Sequence, residues 1–260
     1  MSQIYEPKGR AREYSPLALN YFKGCDHGCK YCYVPPMMTR FNSGYKHSQV
    51  QIDVNYKALE TSARKMQGCN KQILFSFTTD PYTITESGET RRVLEILNFY
   101  GHKVAILTKA GSKVLRDMDI YEKFGTRIKI GQSLTFDNDI DSKLWEPRAA
   151  LPSDRVSALK TLAENNIKTW ASFEPTIIPE QSINLLRQVV QFIDHVKVGK
   201  INNYKGIDKS IDWAEFIFES VRLLRDAKMD DRFYIKNDLQ KYNKGVYLSE
   251  NEINEDWLNL

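Results

Sequence analysis

Six short β-branched, apolar runs alternate with six amphipathic stretches along this chain, and this alternation limits the folds open to it. The runs predicted as strands are residues 17–22, 73–77, 104–107, 128–134, 169–173 and 196–198. The stretches predicted as helices are residues 55–66, 90–100, 113–124, 154–165, 180–192 and 212–225. Strands that alternate with helices form βαβ units and a parallel sheet. The pattern therefore predicts an α/β protein, two units short of a closed eightfold barrel.

Length and composition indicate a single globular domain. The 260 residues fit one α/β domain, and the 42% hydrophobic and 27% charged residues are close to globular averages. No apolar run approaches the roughly 18 residues of a membrane span, and the chain start lacks a signal-peptide stretch. We therefore expect a cytoplasmic protein without a membrane partner, with one domain over residues 1–248 and a loosely held acidic tail over 249–260. The oligomeric state is left open.

Positive charge is concentrated at the amino-terminal end. Residues 1–50 carry seven basic and three acidic side chains, an excess that equals the net charge of +4 of the whole chain. A local field of this kind favours an anionic substrate or cofactor. Chance clustering on a solvated surface is the alternative.

Three of the four cysteines recur as C-x-x-x-C-x-x-C at Cys25, Cys29 and Cys32. Glycine and charged residues interrupt any apolar face here, so residues 24–33 predict a loop around a metal. Thiolates select zinc or iron–sulfur clusters. Only Cys69 and His27 are available to complete a four-ligand zinc site, whereas three thiolates suit a four-iron cluster with one open iron. We expect Cys69 to be an ordinary thiol and His27 to face solvent.

The cysteine motif, with an aromatic residue before its third cysteine, resembles the signature of the radical S-adenosylmethionine (SAM) superfamily. Residues 20–33 and four further blocks resemble the spore photoproduct lyase-like subgroup, also labelled DNA repair photolyases. The blocks are FSFTTDPYTITE (75–86), TRRVLEIL (90–97), LTKAGSKVLRD (107–117) and LWEPRAALPSDR (144–155). The similarity covers roughly residues 14–200.

The resemblance implies a partial (β/α)6 barrel in which Cys25, Cys29 and Cys32 hold a [4Fe–4S] cluster and SAM binds the open iron. A reductant such as flavodoxin or ferredoxin would supply the electron that cleaves SAM to a 5′-deoxyadenosyl radical. The chemistry belongs to the cofactors, and the protein orients and shields them. The radical would then take a hydrogen atom from the substrate.

Ligands of parallel α/β folds bind where strands end at their carboxyl edge, so the residues there are candidates for SAM contacts. Thr79 and Asp80 follow the second strand and are placed to receive the ammonium or ribose of SAM, although Asp80-Pro81 is also turn chemistry. By resemblance, Lys109 contacts the SAM carboxylate and Ser133 supplies a hydroxyl contact. Glu174 is a candidate to accept a hydrogen bond from the SAM ribose. A purely structural role in its loop explains this residue equally well.

Three further residues are candidates for contacts to SAM or substrate. By resemblance, Tyr31 packs against the adenine. Glu146 and Arg148 either form an ion pair that orders their loop, or bind substrate with Arg148 on an anionic group.

The resemblance has one departure that bears on the reaction. Spore photoproduct lyases carry a cysteine before the threonine–aspartate step, and its thiol returns a hydrogen to the product radical. Phe77 stands there in this chain. Reversal of a thymine photoproduct by that relay is therefore not expected, unless Cys69 or a tyrosine such as Tyr82 acts as a radical relay or substrate contact.

The resemblance to this subgroup and the amino-terminal positive charge both favour a DNA, RNA or nucleotide substrate. Basic and aromatic residues alternate at 40–41, 45–46 and 56–57, as in surfaces that stack bases and bind phosphates. Two alternatives stay open: a radical SAM enzyme for a peptide or small metabolite, and a non-enzymatic zinc module.

Overall fold

A parallel sheet organises the protein, for which a computed structural model describes residues 3–202 and 204–260. The strands are β1 (Ile4–Tyr5), β2 (Leu17–Leu19), β3 (Phe22–Lys23), β4 (Gln51–Ile52), β5 (Gln72–Phe75), β6 (Lys103–Thr108), β7 (Ile128–Ser133), β8 (Lys168–Thr176), β9 (His195–Lys200) and β10 (Phe233–Ile235). The main sheet has the order β1-β2-β5-β6-β7-β8-β9-β10. Its neighbours pair in parallel, except that β1 is antiparallel to β2.

Helices connect the parallel strands. They are α1 (Val34–Met38), α2 (Tyr56–Lys65), α3 (Glu89–Phe99), α4 (Met118–Phe124), α5 (Asp139–Trp145), α6 (Pro152–Glu164), α7 (Pro179–Val189), α8 (Lys205–Ser210), α9 (Trp213–Asp226) and α10 (Asn237–Gln240). Short 3-10 turns lie at Gly9–Ala11, Gly111–Asp117, Gly125–Arg127 and Asn251–Ile253. No described helix is long and apolar enough to cross a membrane.

All six predicted strands and helices are present, with two local differences. The predicted strand 17–22 is broken, because β2 joins the main sheet while β3 leaves it to pair with β4. The predicted helix 113–124 begins as the 3-10 turn Gly111–Asp117 and becomes α-helical only in α4. A seventh parallel strand, β10, was not predicted, because charged residues flank its three apolar residues.

The two faces of the sheet are buried differently. One face packs against the helices through alternate strand residues such as Ile73, Phe75 and Val104, which belong to one of two core clusters of equal size. The opposite face, which we call the inner face, carries Leu74 and Trp170. Alternation of side chains along each strand produces this division.

Trp170 fills the inner face and depends on a glycine in the next strand. A Cβ atom on Gly131 would lie 2.5 Å from the indole of Trp170. The indole Nε1 donates a 2.9 Å hydrogen bond to the Ile106 carbonyl of β6. The indole therefore links three adjacent strands, β6, β7 and β8.

The expectation of a loosely held tail over residues 249–260 is wrong. Asp256 forms an ion pair with Arg12 at 2.6 Å, and Glu252 forms one with Arg225 at 3.0 Å. Leu258 is buried. Basic residues far away in sequence neutralise the acidic cluster, and composition alone does not reveal such pairing.

The same segment closes the inner face near the amino ends of the strands. The buried Lys129 ammonium donates to the Leu258 carbonyl at 2.5 Å, and the Gln72 amide donates to Asn259 at 3.1 Å. Burial lowers the pKa of Lys129 well below its ordinary value, and the positive charge of Lys197 adds to the effect.

We expect Gly131→Ala to lower the free energy of unfolding by about 1–3 kcal/mol, because the added methyl group overlaps the Trp170 indole. Chemical denaturation of both proteins measures the difference. Gly88→Ala is the control, since a Cβ atom at Gly88 meets no atom within 4 Å, and its effect should stay within about 0.5 kcal/mol. Equal stability of Gly131→Ala and the parent would contradict the packing described.

Candidate functional site

The three clustered cysteines lie on one partly buried loop, residues 24–33, which we call the cysteine loop. Cys25, Cys29 and Cys32 are free thiols. Burial raises the pKa of both Cys25 and Cys29 to about 12. Backbone N–H groups of His27 and Asp80 bond the Cys25 sulfur and oppose this rise. The thiols are thus protonated near neutral pH, and a metal would have to displace their protons.

A neighbouring loop holds the cysteine loop from one side. The Cys25 amide donates a 2.6 Å hydrogen bond to the His47 carbonyl. Gly24 has a φ of 81°, and a Cβ atom there would lie 2.4 Å from the Gln49 carbonyl oxygen and 2.7 Å from that of His47. Glycine is therefore required at position 24, both for its backbone conformation and for this close approach.

The loop that follows α5 holds the cysteine loop from the other side. The Lys30 amide donates to the Trp145 carbonyl at 2.8 Å, and the Arg148 amide donates to the His27 carbonyl at 3.1 Å. These backbone contacts bring residues 145–148 beside the thiols, although more than a hundred residues separate the two segments in sequence.

Two residues between the cysteines are buried, and sequence reasoning missed their roles. The Asp26 carboxylate accepts hydrogen bonds from the amides of Ile84 and Thr85 at 3.0 and 3.1 Å. His27, expected to face solvent, is only 2% exposed, and its Nδ1 lies 3.6 Å from an Asp80 oxygen. Burial lowers the pKa of His27, against the opposing charge of Asp80. That expectation is wrong because the loop folds inward.

Thr79 and Asp80 lie at the carboxyl end of β5, as predicted, and both are bonded within the protein. The Thr79 hydroxyl donates to the Gly24 carbonyl at 2.5 Å. The Asp80 carboxylate accepts from the Thr108 hydroxyl at 2.5 Å and from the Lys109 amide at 2.8 Å. Thr79 thus anchors the cysteine loop, and Asp80 joins the ends of β5 and β6. Their predicted contacts to SAM stay predictions.

Lys109 brings a cation to the thiols. Its ammonium nitrogen lies 5.7 Å from the centre of the Tyr31 ring. Its positive charge opposes the burial that raises the pKa of Cys29. Among the described residues the ammonium group has no hydrogen bond or ion pair, which leaves it available to an anionic group.

Glu146 is a buried structural carboxylate rather than a partner of Arg148. It is 1% exposed, and Arg155 pairs with it at 2.5 Å. The Tyr31 hydroxyl donates to the same carboxylate, and the Thr135 hydroxyl lies 3.3 Å away. Burial alone raises the pKa of Glu146, but the charges of Arg155 and Lys109 and these hydrogen bonds lower it below its ordinary value.

The expected Glu146–Arg148 ion pair is therefore wrong, whereas direct substrate contact by Glu146 stays a prediction. Sequence proximity suggested the pair, but α6 returns Arg155 to the same loop and buries it. Arg155 also donates to the Ser133 carbonyl at 2.9 Å, so the predicted site residue Ser133 belongs to this network through its backbone. Arg148 is exposed.

Arg148 borders a pocket beside the cysteine loop. The pocket has a volume of about 250 Å³ and is lined by His27, Tyr82, Ile84, Ala110, Lys113 and Arg148, among others. Lys113 is occupied, since its ammonium donates to the Glu86 carbonyl at 2.9 Å. The Arg148 guanidinium has no hydrogen bond or ion pair within the described chain, so it is the pocket's available cation.

Tyr82 is fully buried and its hydroxyl is occupied. The hydroxyl donates to the Asp117 carboxylate at 2.8 Å and is hydrogen-bonded to the Tyr121 hydroxyl. These contacts give Tyr82 a structural role. Its action as a radical relay stays a prediction.

Glu174 forms a second polar group at the end of β8. Lys236 pairs with it at 2.6 Å, Tyr14 donates a hydrogen bond to it, and the Asn202 amide lies 3.3 Å away. Phe77 packs against the Tyr14 ring edge-on, with centroids 6.2 Å apart. The strand ends therefore carry an aromatic and charged lining on the inner face, and the ribose contact of Glu174 stays a prediction.

A sequence profile of the Radical SAM superfamily matches residues 19–193. The chain therefore belongs to the radical SAM superfamily. Uncharacterized protein MJ0683 of Methanocaldococcus jannaschii is 34% identical over 165 residues, which is 62% of this chain and 60% of that protein. Uncharacterized protein ORF301 of Acidianus two-tailed virus is 25% identical over 174 residues, 63% of this chain and 57% of that protein. The match thus spans about three fifths of each relative.

Solved structures confirm the predicted fold class. A variant of spore photoproduct lyase with bound AdoMet and dinucleoside spore photoproduct has a TM-score of 0.64 at 12% identity, over 88% of this chain and 78% of that chain. Streptococcus suis SuiB bound to S-adenosylmethionine has a TM-score of 0.60 at 18% identity, over 90% of this chain and 53% of that chain. The fold is the open, mostly parallel α/β arrangement of radical SAM partial barrels.

We expect Glu146→Gln to lower the free energy of unfolding at pH 7 by about 3–5 kcal/mol, because it leaves the buried Arg155 charge uncompensated. The folded-state pKa of Glu146 lies below its ordinary value, so its contribution is present at neutral pH and is lost as the pH falls through that lowered value. The difference in the free energy of unfolding between variant and parent should therefore become smaller at acidic pH. Urea denaturation as a function of pH measures it.

Glu164→Gln is the matched control for this substitution. Its partner Lys160 lies 3.9 Å away, and both side chains are 63% exposed. An exposed pair contributes at most about 1 kcal/mol. If Glu146→Gln lowered the free energy of unfolding no more than Glu164→Gln does, the buried network would not stabilise the site.

Proposed function

We propose that this protein is an enzyme that binds a [4Fe–4S] cluster through Cys25, Cys29 and Cys32 and cleaves SAM to act on a nucleic acid or nucleotide. Cys25, Cys29 and Cys32 would hold the cluster, which when reduced would supply the electron for cleavage of the C5′–S bond of SAM to methionine and a hydrogen-abstracting 5′-deoxyadenosyl radical. The protein binds, orients and shields these groups.

The donor set of the cysteine loop fits such a cluster. It offers three thiols on one anchored loop, with Cys25 already receiving backbone N–H donors of the kind that stabilise cluster sulfurs. Across residues 3–202 and 204–260, no three His, Cys, Asp or Glu side chains gather around a single metal ion. A four-iron cluster needs no such gathering, because each thiolate binds a different iron. Cys69 packs against the core cluster that contains Ile73 and Phe75.

One observation carries the SAM part of the proposal: an available cation and an anchored polar strand edge adjoin the thiols. Lys109 is proposed to bind the SAM carboxylate, since its ammonium group has no hydrogen bond or ion pair within the described chain and lies 5.7 Å from the centre of the Tyr31 ring. Tyr31, Thr79, Asp80, Ser133 and Glu174 are proposed to line the cofactor site from the strand ends. A carboxylate beside an ammonium group is a strong charge-assisted contact.

The surface around the cysteine loop supports a polyanionic substrate. Lys30, Arg40 and Lys46 are exposed, and none of them has an ion-pair partner in the part of the chain that is described. Phe41 is 85% exposed. Exposed cations beside an exposed aromatic ring provide phosphate contacts and a surface on which a base stacks.

The reaction proposed is not photoproduct reversal by a thiol relay. Phe77 stands where the lyases carry the relay cysteine, and its ring packs against Tyr14. The protein therefore needs another way to end the reaction, or a product from which no hydrogen has to be restored.

We expect anaerobically reconstituted protein to contain about four irons per chain and to form 5′-deoxyadenosine from SAM and dithionite. Cys29→Ala should lose both properties, because one iron loses its ligand. Cys69→Ala is the matched control and should retain both. Iron and sulfide analysis, electron paramagnetic resonance and chromatography of the nucleosides measure these outcomes.

A protein that held zinc instead of iron, or a Cys29→Ala variant with an intact cluster, would contradict the cluster assignment. S-adenosylhomocysteine as the sole nucleoside product would contradict the cleavage reaction.

We expect the reconstituted enzyme to bind single-stranded oligonucleotides with an affinity that falls steeply with salt. Replacing Lys30, Arg40 and Lys46 with glutamine should flatten the slope of log K against log salt by about 2, since each phosphate contact contributes about 0.7. Fluorescence anisotropy at several salt concentrations measures the slope.

The control replaces Arg64 and Lys65 of α2 and Lys228 after α9, which are also exposed but lie outside the basic and aromatic pairs. It removes the same charge and should leave the slope nearly unchanged. Equal effects of the two triple variants, or no oligonucleotide binding, would favour a peptide or small-metabolite substrate.

A further inference from the structure

His47 contacts one of the three clustered cysteines. Its Nε2 atom lies 3.6 Å from the Cys32 sulfur, within hydrogen-bond range for a sulfur acceptor. The backbone of His47 is fixed at the same time, because its carbonyl accepts the Cys25 amide at 2.6 Å and lies against Gly24. The imidazole is thus held beside the cysteine loop by contacts that do not involve its own ring.

The other ring nitrogen also has a partner. The Tyr45 hydroxyl lies 2.9 Å from His47 Nδ1. A neutral imidazole carries one proton, and the partner of one nitrogen selects which nitrogen carries it. If the tyrosine hydroxyl donates to Nδ1, the ring proton must sit on Nε2, which faces Cys32.

Binding of iron to Cys32 favours the His47 tautomer that carries its proton on Nε2. A thiolate bound to iron has no proton and can only accept a hydrogen bond. The Nε2 atom can pair with it only as an N–H donor, and Nδ1 is then an acceptor. Tyr45 can donate to that acceptor, so every polar atom of the row Tyr45, His47, Cys32 is satisfied.

We propose that His47 donates its Nε2–H to the Cys32 thiolate and that Tyr45 fixes the tautomer, so that the pair eases one-electron reduction of the cluster. This inference rests on the cluster assignment of the proposed function. A donor on a ligand sulfur stabilises the additional negative charge of the reduced cluster and raises its reduction potential. The electron comes from an external one-electron donor, and no bond of the protein breaks. His47 is a positioning residue, since it acts through Cys32.

The test is a redox titration of the reconstituted protein, followed by electron paramagnetic resonance of the reduced cluster. At a fixed potential, His47→Phe should lower the ratio of reduced to oxidised cluster about tenfold, which is about 59 mV for one electron. His47→Gln retains an N–H donor and should recover part of the loss. Tyr45→Phe should shift the ratio in the same direction by less. Iron content should stay at about four in all three variants.

Each other outcome is informative. Unchanged reduction in His47→Phe with a full cluster would overturn the hydrogen bond. Loss of iron from both His47→Phe and His47→Gln would make His47 a ligand and would overturn its positioning role. Failure of the parent protein to assemble any cluster would instead overturn the proposed function itself, so the two failures are distinguishable.

Discussion

The geometry of the site depends on the contacts of the buried Glu146 carboxylate. It accepts from Tyr31 of the cysteine loop, pairs with Arg155 of α6 and lies beside Thr135 after β7. Segments far apart in sequence thereby meet at one ionised group. Its desolvation is offset because a full positive charge and two hydroxyl groups surround it, which is the condition under which a buried ion pair is tolerated. The loop that presents the thiols is therefore tied through one carboxylate to α6 and to the end of β7.

Local pattern was enough to predict the sheet and the cysteine loop, whereas long-range pairing was not. The alternation of apolar runs with amphipathic stretches predicted every parallel strand of the main sheet except β10, because strand and helix periodicity depends on neighbouring residues. Strand ends correctly located Thr79, Asp80 and Lys109. By contrast, Glu146 was paired with the wrong arginine, since the correct one is brought back only by α6. His27 and the segment 249–260 were judged by polarity, but His27 is buried beside Asp80 and the segment is held by partners distant in sequence.

Relatives of the same fold set a limit on what architecture says about the substrate. One solved neighbour holds a dinucleoside photoproduct, and SuiB, another, is also known in complex with its precursor peptide. Both share the sheet, so specificity must come from the loops at the strand ends and from the surface around them. In this chain those features are an exposed basic and aromatic surface, the free Arg148 side chain and the Glu174–Lys236 pair. These features distinguish this chain from its structural neighbours more than its sheet does.

The contact between Lys129 and Leu258 has a consequence for folding. It joins residues 129 positions apart, and Leu258 follows every strand of the sheet in the chain. Until Leu258 is in place, the ammonium group of Lys129 can keep its water shell. Closure of this end of the sheet therefore requires a contact of long sequence separation, and it takes place at the edge opposite the thiols.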